Sequence, residues 1–572
     1  MCLAKIDAII AAIRDERYRW TPVRRVSIEK QHSTKLRPLG LPSWSDKLLQ
    51  EVLRLILEAY FEPQFSTHAH GFRPGRGCHT ALREIYDDWA GTTWLIEGDI
   101  SACFDSLDHD VLLTTLAEHI HDGRLLRLIR ELLQAGYLED WKWHATLSGA
   151  PQGAILSPVL TNIYLSTLDR FVETTLLPAH TRGSRRRPNP AYVKLSNALW
   201  RGKERGKLSA MQALRQQRAT LPSGDPFDPE YRRLRYCRYA DDFLLGFIGP
   251  REEAEQIKQH LQAFLRERLK LELSDVKTLV THARTEAAQF LGYEIATFHR
   301  DAVRERTYHR RRVLNGKVAL ALPRRVLTEH CRRSMRGTTP IHRPELVNDT
   351  VFSIIASYQA AYRGMVEYYR LAYNLHRWNR LKWLMEQSLT KTLASKLKIS
   401  VSKVYERFRA TLWTEGRPYK GLQTTIQRDG KPPLVAQWGG IPLRRRMDVA
   451  LNDAPPRVWN TRTELVQRLL ADTCELCGSH DAIEVHHIRA LKDLQRHDRP
   501  SQPAWVRVMA TRQRKTLVVC RPCHRSIHQG RPGPSSSARH APEGNNTGEP
   551  CDAKVSSTVR RGAAGKVPGA TA

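Results

Sequence analysis

Arg235-Tyr-Cys-Arg-Tyr-Ala-Asp-Asp-Phe-Leu-Leu-Gly246 places two adjacent carboxylates, Asp241 and Asp242, between an aromatic run and an apolar one. Tyr, Phe and Leu suit a pleated, half-buried surface and Asp favours turns, so the stretch predicts two strands meeting at a tight turn. Neighbouring like charges repel unless a cation neutralises them. By itself an Asp-Asp pair also fits a solvated turn. A third carboxylate changes the balance: Trp94-Leu-Ile-Glu-Gly-Asp99 ends another apolar strand on Asp99. Carboxylates from separate strands that gather two Mg²⁺ ions are what nucleotidyl transfer requires.

The rest of the chain is read outward from this pair. Its 572 residues are 41% hydrophobic and 26% charged, as in a globular protein of several domains. A formal net charge of +32 argues for a polyanionic partner, nucleic acid first. An anionic membrane is the weaker option, and no apolar run reaches the ~18 residues of a membrane span; the expected partners do not include a membrane. Four of the ten cysteines form Cys474-x-x-Cys477 and Cys520-x-x-Cys523, which suits a closed Zn²⁺ site in a reducing compartment better than a disulfide framework.

Upstream of Asp99, Ser45 can cap a helix running to about Glu62, with Leu48, Leu49, Val52, Leu53, Ile56, Tyr60 and Phe61 on one face. The segment His70-Gly-Phe-Arg-Pro-Gly-Arg-Gly77 reads either as a phosphate-favouring loop, through Arg73 and Arg76, or as plain surface. Phe104 lies close enough in sequence to Asp99 to flank whatever the metals hold. Asp105 reads as structural. Ser148-Gly-Ala-Pro-Gln-Gly153 offers close backbone approach and, in Gln152, both a donor and an acceptor.

Between Thr181 and Arg238 fifteen Lys and Arg residues face four acidic ones. A solvated face is the alternative, but so few acidic partners favour an insertion that contacts phosphates, with Arg185, Arg186 and Arg187 as candidates. Beyond the Asp-Asp turn, Leu271–Val280 and Phe290–Ile295 read as strands, and Lys277 is either a proton donor to a leaving pyrophosphate or a surface lysine. In Tyr358-Gln-Ala-Ala-Tyr-Arg-Gly-Met-Val-Glu-Tyr-Tyr-Arg370 the residues Tyr358, Tyr362 and Val366 read as core, and Arg363 and Arg370 as contacts to an RNA backbone.

Taken in order, Arg37-Pro-Leu-Gly-Leu-Pro42, Gly71-Phe-Arg-Pro-Gly-Arg-Gly77, Asp99 with Phe104-Asp105, Ala150-Pro-Gln-Gly153, Tyr239-Ala-Asp-Asp242, Ser274 with Lys277-Thr278 and Phe290-Leu-Gly-Tyr293 form a set that resembles the group II intron reverse transcriptase/maturases. The resemblance implies a multidomain α+β architecture: right-hand polymerase fingers over residues 1–93, palm over 94–300 with a basic insertion at 180–235, and an α-helical thumb/maturase domain over 301–435. It implies metal ligation by Asp99 and Asp241 with Asp242 adjacent, sugar screening by Phe104, nucleotide packing by Gln152 and a triphosphate grip from Lys30 and Arg37. The segment Lys30–Arg37 departs from the pattern in lacking the usual Gly turn and in being one residue longer. The family normally has several dozen residues ahead of the position of Met1, so a shortened N-terminus is expected.

After a DNA-binding linker at 436–470, residues 471–530 resemble the HNH (ββα-metal) endonucleases, through Glu484-Val-His-His-Ile488 and His524-x-x-x-His528. The resemblance implies His487 as the general base and His486, His524 and His528 as holders of a divalent cation. The middle Asn of that pattern is not evident. Residues 531–572 have the composition of a disordered tail. The expected function is RNA-directed DNA polymerisation with dNTPs, assistance to splicing of the protein's own group II intron RNA, and nicking of target DNA to make a primer, within a cytoplasmic ribonucleoprotein. The alternative is a splicing-only maturase whose polymerase is inert.

Overall fold

The computed structural model describes residues 3–29, 36–140, 142–146, 148–149, 153–204, 208–219, 221, 223–225, 228–274, 277–298, 316–428, 431–449, 468–469, 471–488, 491–494 and 503–529. The chain divides into two compact units, Met1–Gln467 with Thr511–Lys515, and Arg468–Ala510 with Thr516–Ala572. Both are mixed α and β. Among the described residues no helix is long and apolar enough to cross a membrane.

The first unit is built on a four-stranded antiparallel sheet, in the order Arg233–Tyr239, Asp242–Ile248, Trp94–Asp99, Val280–His282. Alternate side chains of a strand point to opposite faces. Ile96, Phe243, Leu245 and Phe247 accordingly enter one core with the helices Trp44–Phe61, Ser157–Phe171 and Arg251–Arg268. Leu95, Cys237 and Leu244 enter a second core with the helices Cys78–Asp88, Val351–Tyr368 and Trp378–Leu397. A strand covered on both faces needs a continuous apolar run, which is why Phe243-Leu-Leu-Gly-Phe-Ile248 shows no alternation.

Local expectations hold with informative exceptions. The first long helix is Trp44–Phe61, and its cap is Ser43 rather than Ser45: the Ser43 hydroxyl accepts from the Asp46 N–H at 3.2 Å and donates to the Asp46 carboxylate at 2.7 Å. Its buried side is Leu49, Leu53, Leu57 and Phe61, whereas Leu48, Val52, Ile56 and Tyr60 are exposed. Phe290–Ile295 is not one strand. Leu291 and Gly292 both take positive φ, the conformation a two-residue hairpin turn demands, so the run folds into Ala288–Phe290 and Tyr293–Thr297. Among the described residues of Leu271–Val280, only Val280 enters a strand, Val280–His282.

The basic insertion carries two helices, Pro190–Glu204 and Leu208–Ala219. Beyond the sheet, Tyr358, Tyr362 and Val366 are buried as expected, the two tyrosine rings against Trp438 of a three-stranded antiparallel sheet formed by Arg409–Thr414, Arg417–Arg428 and Lys431–Trp438. The second unit is small: the hairpin Ile483–His487 with Thr516–Cys520, followed by the helix Arg521–His528. Residues 531–572 lie outside the described residues.

Candidate active sites

Three carboxylates meet at one end of the four-stranded sheet. Tyr239 pairs with Asp242 across a turn made of Ala240 and Asp241, and Asp242 lies directly opposite Asp99 on the neighbouring strand. Ala240 takes φ +56°, a left-handed conformation that a β-branched residue would resist. Asp242 is hydrogen-bonded to Asp99. Burial, with the charges of Asp241 and Asp99, pushes its carboxyl up to about 7. Lys277 is the cation that opposes this: its ammonium donates to both oxygens of Asp99, at 2.9 and 2.8 Å. Crowded carboxylates at the end of neighbouring strands are a donor set for hard divalent cations.

The turn rests on a buried polar network that the sequence reading did not single out. Arg238 is fully buried and donates to Asp169 at 2.8 and 2.6 Å, to Asn162 at 3.2 Å and to the Ala240 carbonyl at 2.9 Å. Asn162 donates in turn to the Gly71 carbonyl at 2.9 Å, and the Tyr236 hydroxyl donates to Asp169 at 2.8 Å. Arg238, read as one of the basic run facing phosphates, is therefore an internal support of the turn. The legible signal was Asn162 and Asp169 among the core residues Leu160, Ile163, Leu165 and Leu168 of the helix Ser157–Phe171, since buried polar groups must find partners. Gly71 sits against the same turn: a Cβ there would lie 2.3 Å from the Ala240 nitrogen.

The loop at 70–77 resolves toward its structural reading at Arg73. Arg73 is buried, paired with Glu62 and bonded to the Ala69 carbonyl at 2.7 Å, while Arg76 donates to the Thr67 carbonyl at 2.6 Å. Phe104 is half-buried, edge-on to Phe72 at 6.4 Å. The segment before Gln152 approaches it, with the Ser148 hydroxyl donating to the Asp105 carbonyl at 3.1 Å and the Gly149 N–H to the Leu107 carbonyl at 2.7 Å. Lys30 and Gln152 lie outside the described residues, and of Arg37 only the backbone, on the strand Leu36–Leu41, is described.

Arg185 and Arg187 are exposed, Arg187 pairing with Asp225 at 2.8 Å, and Arg186 is half-buried beside Tyr231. Arg363 is exposed on the helix Val351–Tyr368. Arg370 is not: it is 4% exposed, bonded to the Pro442 carbonyl and 3.8 Å from Glu367. An arginine that packs one helix end internally presents no charge to a phosphate, which corrects the reading of Arg370 as an RNA contact.

In the second unit, the thiols of Cys474, Cys477, Cys520 and Cys523 lie within 4.8 Å of one another, a donor set that fits a closed Zn²⁺ site. Burial opposes the thiolate of Cys474, yet backbone N–H donors of Cys477, Cys520 and Leu476 bring it down to about 7. Ring nitrogens of His486, His524 and His528 form a second cluster within the same limit. Burial first, then the neighbouring imidazoles, hold His486 down to about 4, so its ring is neutral and available as a ligand. Its Nε2 is buried without a hydrogen-bond partner among the described residues, which fits a cation. Glu484 accepts from His524 Nδ1 at 2.7 Å and orients that ring. His487, next along the strand, is exposed and outside this cluster.

Three family models match the chain: reverse transcriptase (RNA-dependent DNA polymerase) over residues 28–295, type II intron maturase over 325–427, and AI2M/AI1M-like HNH endonuclease over 474–524. The group II intron-encoded protein LtrA of Lactococcus lactis subsp. cremoris is 38% identical over 544 residues, covering 91% of this chain and 88% of that one. An uncharacterized 91 kDa protein in a cob intron of Schizosaccharomyces pombe is 31% identical over 92% of this chain and 65% of its own length. A putative COX1/OXI3 intron 1 protein of Saccharomyces cerevisiae is 29% identical over 90% and 63%.

Proposed function

The chain belongs to the group II intron-encoded proteins that join a reverse transcriptase, an intron maturase and an HNH endonuclease, and on that premise we propose how its residues divide the work. It is a reverse transcriptase with endonuclease activity, and its reverse transcriptase and nuclease domains imply divalent metals and nucleic-acid partners. Asp99 and Asp241 hold two Mg²⁺ ions, and Asp242 completes the carboxylate group beside them. Those ions, when bound, lower the pKa of the primer hydroxyl and neutralise the pyrophosphate. Lys277, which reaches Asp99 from the loop after Ser274, carries a proton toward the leaving group. Phe104 screens the sugar, Gln152 packs on the incoming dNTP, and Lys30 and Arg37 grip its triphosphate. Arg185, Arg186, Arg187 and Arg363 contact the protein's own intron RNA.

Fingers, palm and thumb/maturase occupy 1–93, 94–300 and 301–435. A DNA-binding segment at 436–470 leads to the nuclease at 471–530, which nicks target DNA for primed reverse transcription. There Cys474, Cys477, Cys520 and Cys523 hold structural Zn²⁺, His486, His524 and His528 hold one divalent cation, and exposed His487 takes the proton of the attacking water. The work is placed in a cytoplasmic ribonucleoprotein.

The observation that carries the polymerase assignment is the meeting of Asp99, Asp242 and Lys277 at one end of the sheet. Primer extension on an RNA template tests it: Asp241→Ala should lose extension, and a variant that extends like the parent overturns it. For the nuclease, His487→Ala should retain zinc and lose nicking; nicking at the parental rate removes His487 from the mechanism.

A further inference from the structure

A cleft of about 420 Å³ opens at the opposite end of the palm sheet from the carboxylates, lined by Trp94, Tyr231, Arg186, Arg251, His282 and Arg284 among others. Trp94 starts the strand that Asp99 ends, and five steps of roughly 3.3 Å put the two about 17 Å apart. The cleft is therefore separate from the site of nucleotidyl transfer.

Its charges are unbalanced. Arg232 is held by Glu253 at 2.8 and 3.0 Å, and Arg251 lies 3.6 Å from Glu255. Arg186 and Arg284 make no ion pair among the described residues; the Arg284 charge acts on Arg186, as do the carboxylates of Asp228 and Asp225. The one carboxylate in the lining, Asp228, accepts from the backbone N–H groups of Arg187 at 2.7 Å and Glu230 at 3.0 Å. Two guanidinium groups that face one cavity without a direct ion pair leave room for an anion, and a phosphodiester accepts from both in fork geometry.

Aromatic rings share the same walls. The Arg186 and Arg233 guanidinium groups lie 5.3 and 4.7 Å from the Tyr231 ring centroid, Arg251 lies 5.8 Å from that of Trp94, and the Trp94 and His282 ring centroids are 4.8 Å apart. Guanidinium planes alternating with rings are stacking surfaces for a base, and the volume is that of a small-ligand pocket. A duplex keeps its bases inside the stack and offers a concave site only phosphates. We propose that this cleft binds one unpaired nucleotide of RNA, its base among Tyr231, Trp94 and His282 and its phosphate on Arg186 and Arg284. The inference rests on the reading of the chain as an RNA-handling protein and adds a site that holds single-stranded RNA away from the polymerase centre.

The test is photocrosslinking of the full chain to an eight-nucleotide oligouridylate carrying one 4-thiouridine, with adducts mapped by mass spectrometry. Adducts are expected on peptides containing Tyr231 or Trp94. They should fall about tenfold in Arg284→Glu, persist in Arg284→Lys, and be competed by unlabelled oligouridylate but not by a blunt RNA duplex. Should Arg284→Glu melt early, Arg284→Gln carries the same comparison. Adducts confined to other peptides, adducts unchanged in Arg284→Glu, or equal competition by duplex or inorganic phosphate would overturn the proposal. Primer extension by the parent on a homopolymer RNA template separates the two readings. Extension without cleft adducts sinks the cleft alone, whereas cleft adducts without extension sink the polymerase assignment and leave the cleft standing.

Discussion

Asp99 and Asp242 face each other across two antiparallel strands, with the Lys277 ammonium shared between both oxygens of Asp99. Three carboxylates against one lysine store repulsion that a divalent cation relieves. Mg²⁺ is therefore expected to raise the parent's melting temperature, by the equivalent of about 2.7 kcal/mol at roughly a hundredfold excess over its Kd. Asp99→Asn and Asp241→Asn should respond far less. Equal shifts in parent and variants, read by thermal denaturation, would contradict the assignment.

Gly71 leaves no room for a side chain. A Cβ lying 2.3 Å from the Ala240 nitrogen must push backbone rather than a flexible tip, and that backbone carries Asp241. Gly71→Ala should cost roughly 1–3 kcal/mol and reduce primer extension more than tenfold. Nicking, measured on the same preparation, should be retained.

The ion pair of Arg238 with Asp169 is fully buried. Removing one partner leaves the other charged and unpaired, so Asp169→Ala or Arg238→Met should destabilise by about 3–5 kcal/mol in urea unfolding. The double variant should cost less than the sum of the single ones. Strict additivity would show that the pair does not act as a unit.

Glu84 lies between His68 and His70, 2.8 Å from His70 Nε2. Burial works against its ionisation, but the two imidazoles win and hold it below the usual carboxylate value of 4.5. The bond to Glu84, against burial, raises His68 above 6.5. The Glu84 contribution is present above its unfolded pKa and lost as pH falls through the depressed folded one. The His68 contribution is present below its unfolded pKa and lost as pH rises through the raised one. Both act together between pH 4.5 and 6.5. The stability gap between parent and Glu84→Gln, roughly 1–2 kcal/mol, should be widest in that window and narrow on either side. A gap independent of pH would refute the pairing.

Four clustered thiols predict that Cys520→Ser lowers bound zinc, measured by elemental analysis, and loosens the hairpin Ile483–His487 with Thr516–Cys520. Limited proteolysis should then cut the second unit first. Unchanged zinc content would exclude Cys520 as a ligand.

The sequence by itself determined whatever depends on residue type at short range. The turn between Tyr239 and Asp242, the strand ending on Asp99, the paired Cys-x-x-Cys motifs and the core reading of Tyr358, Tyr362 and Val366 were legible because apolar runs and ligand spacings write themselves locally. Tertiary structure alone decided which charges face water. Arg238 and Arg370 look like their exposed neighbours in a basic chain, and only long-range packing against Asp169 and Pro442 turns them inward. It also decided the partners of Lys277 and Gly71, since Asp99 and Ala240 lie far from them along the chain. A side chain's chemistry is carried by its own atoms, but whether it meets solvent, a carboxylate or a backbone is set by the elements packed around it.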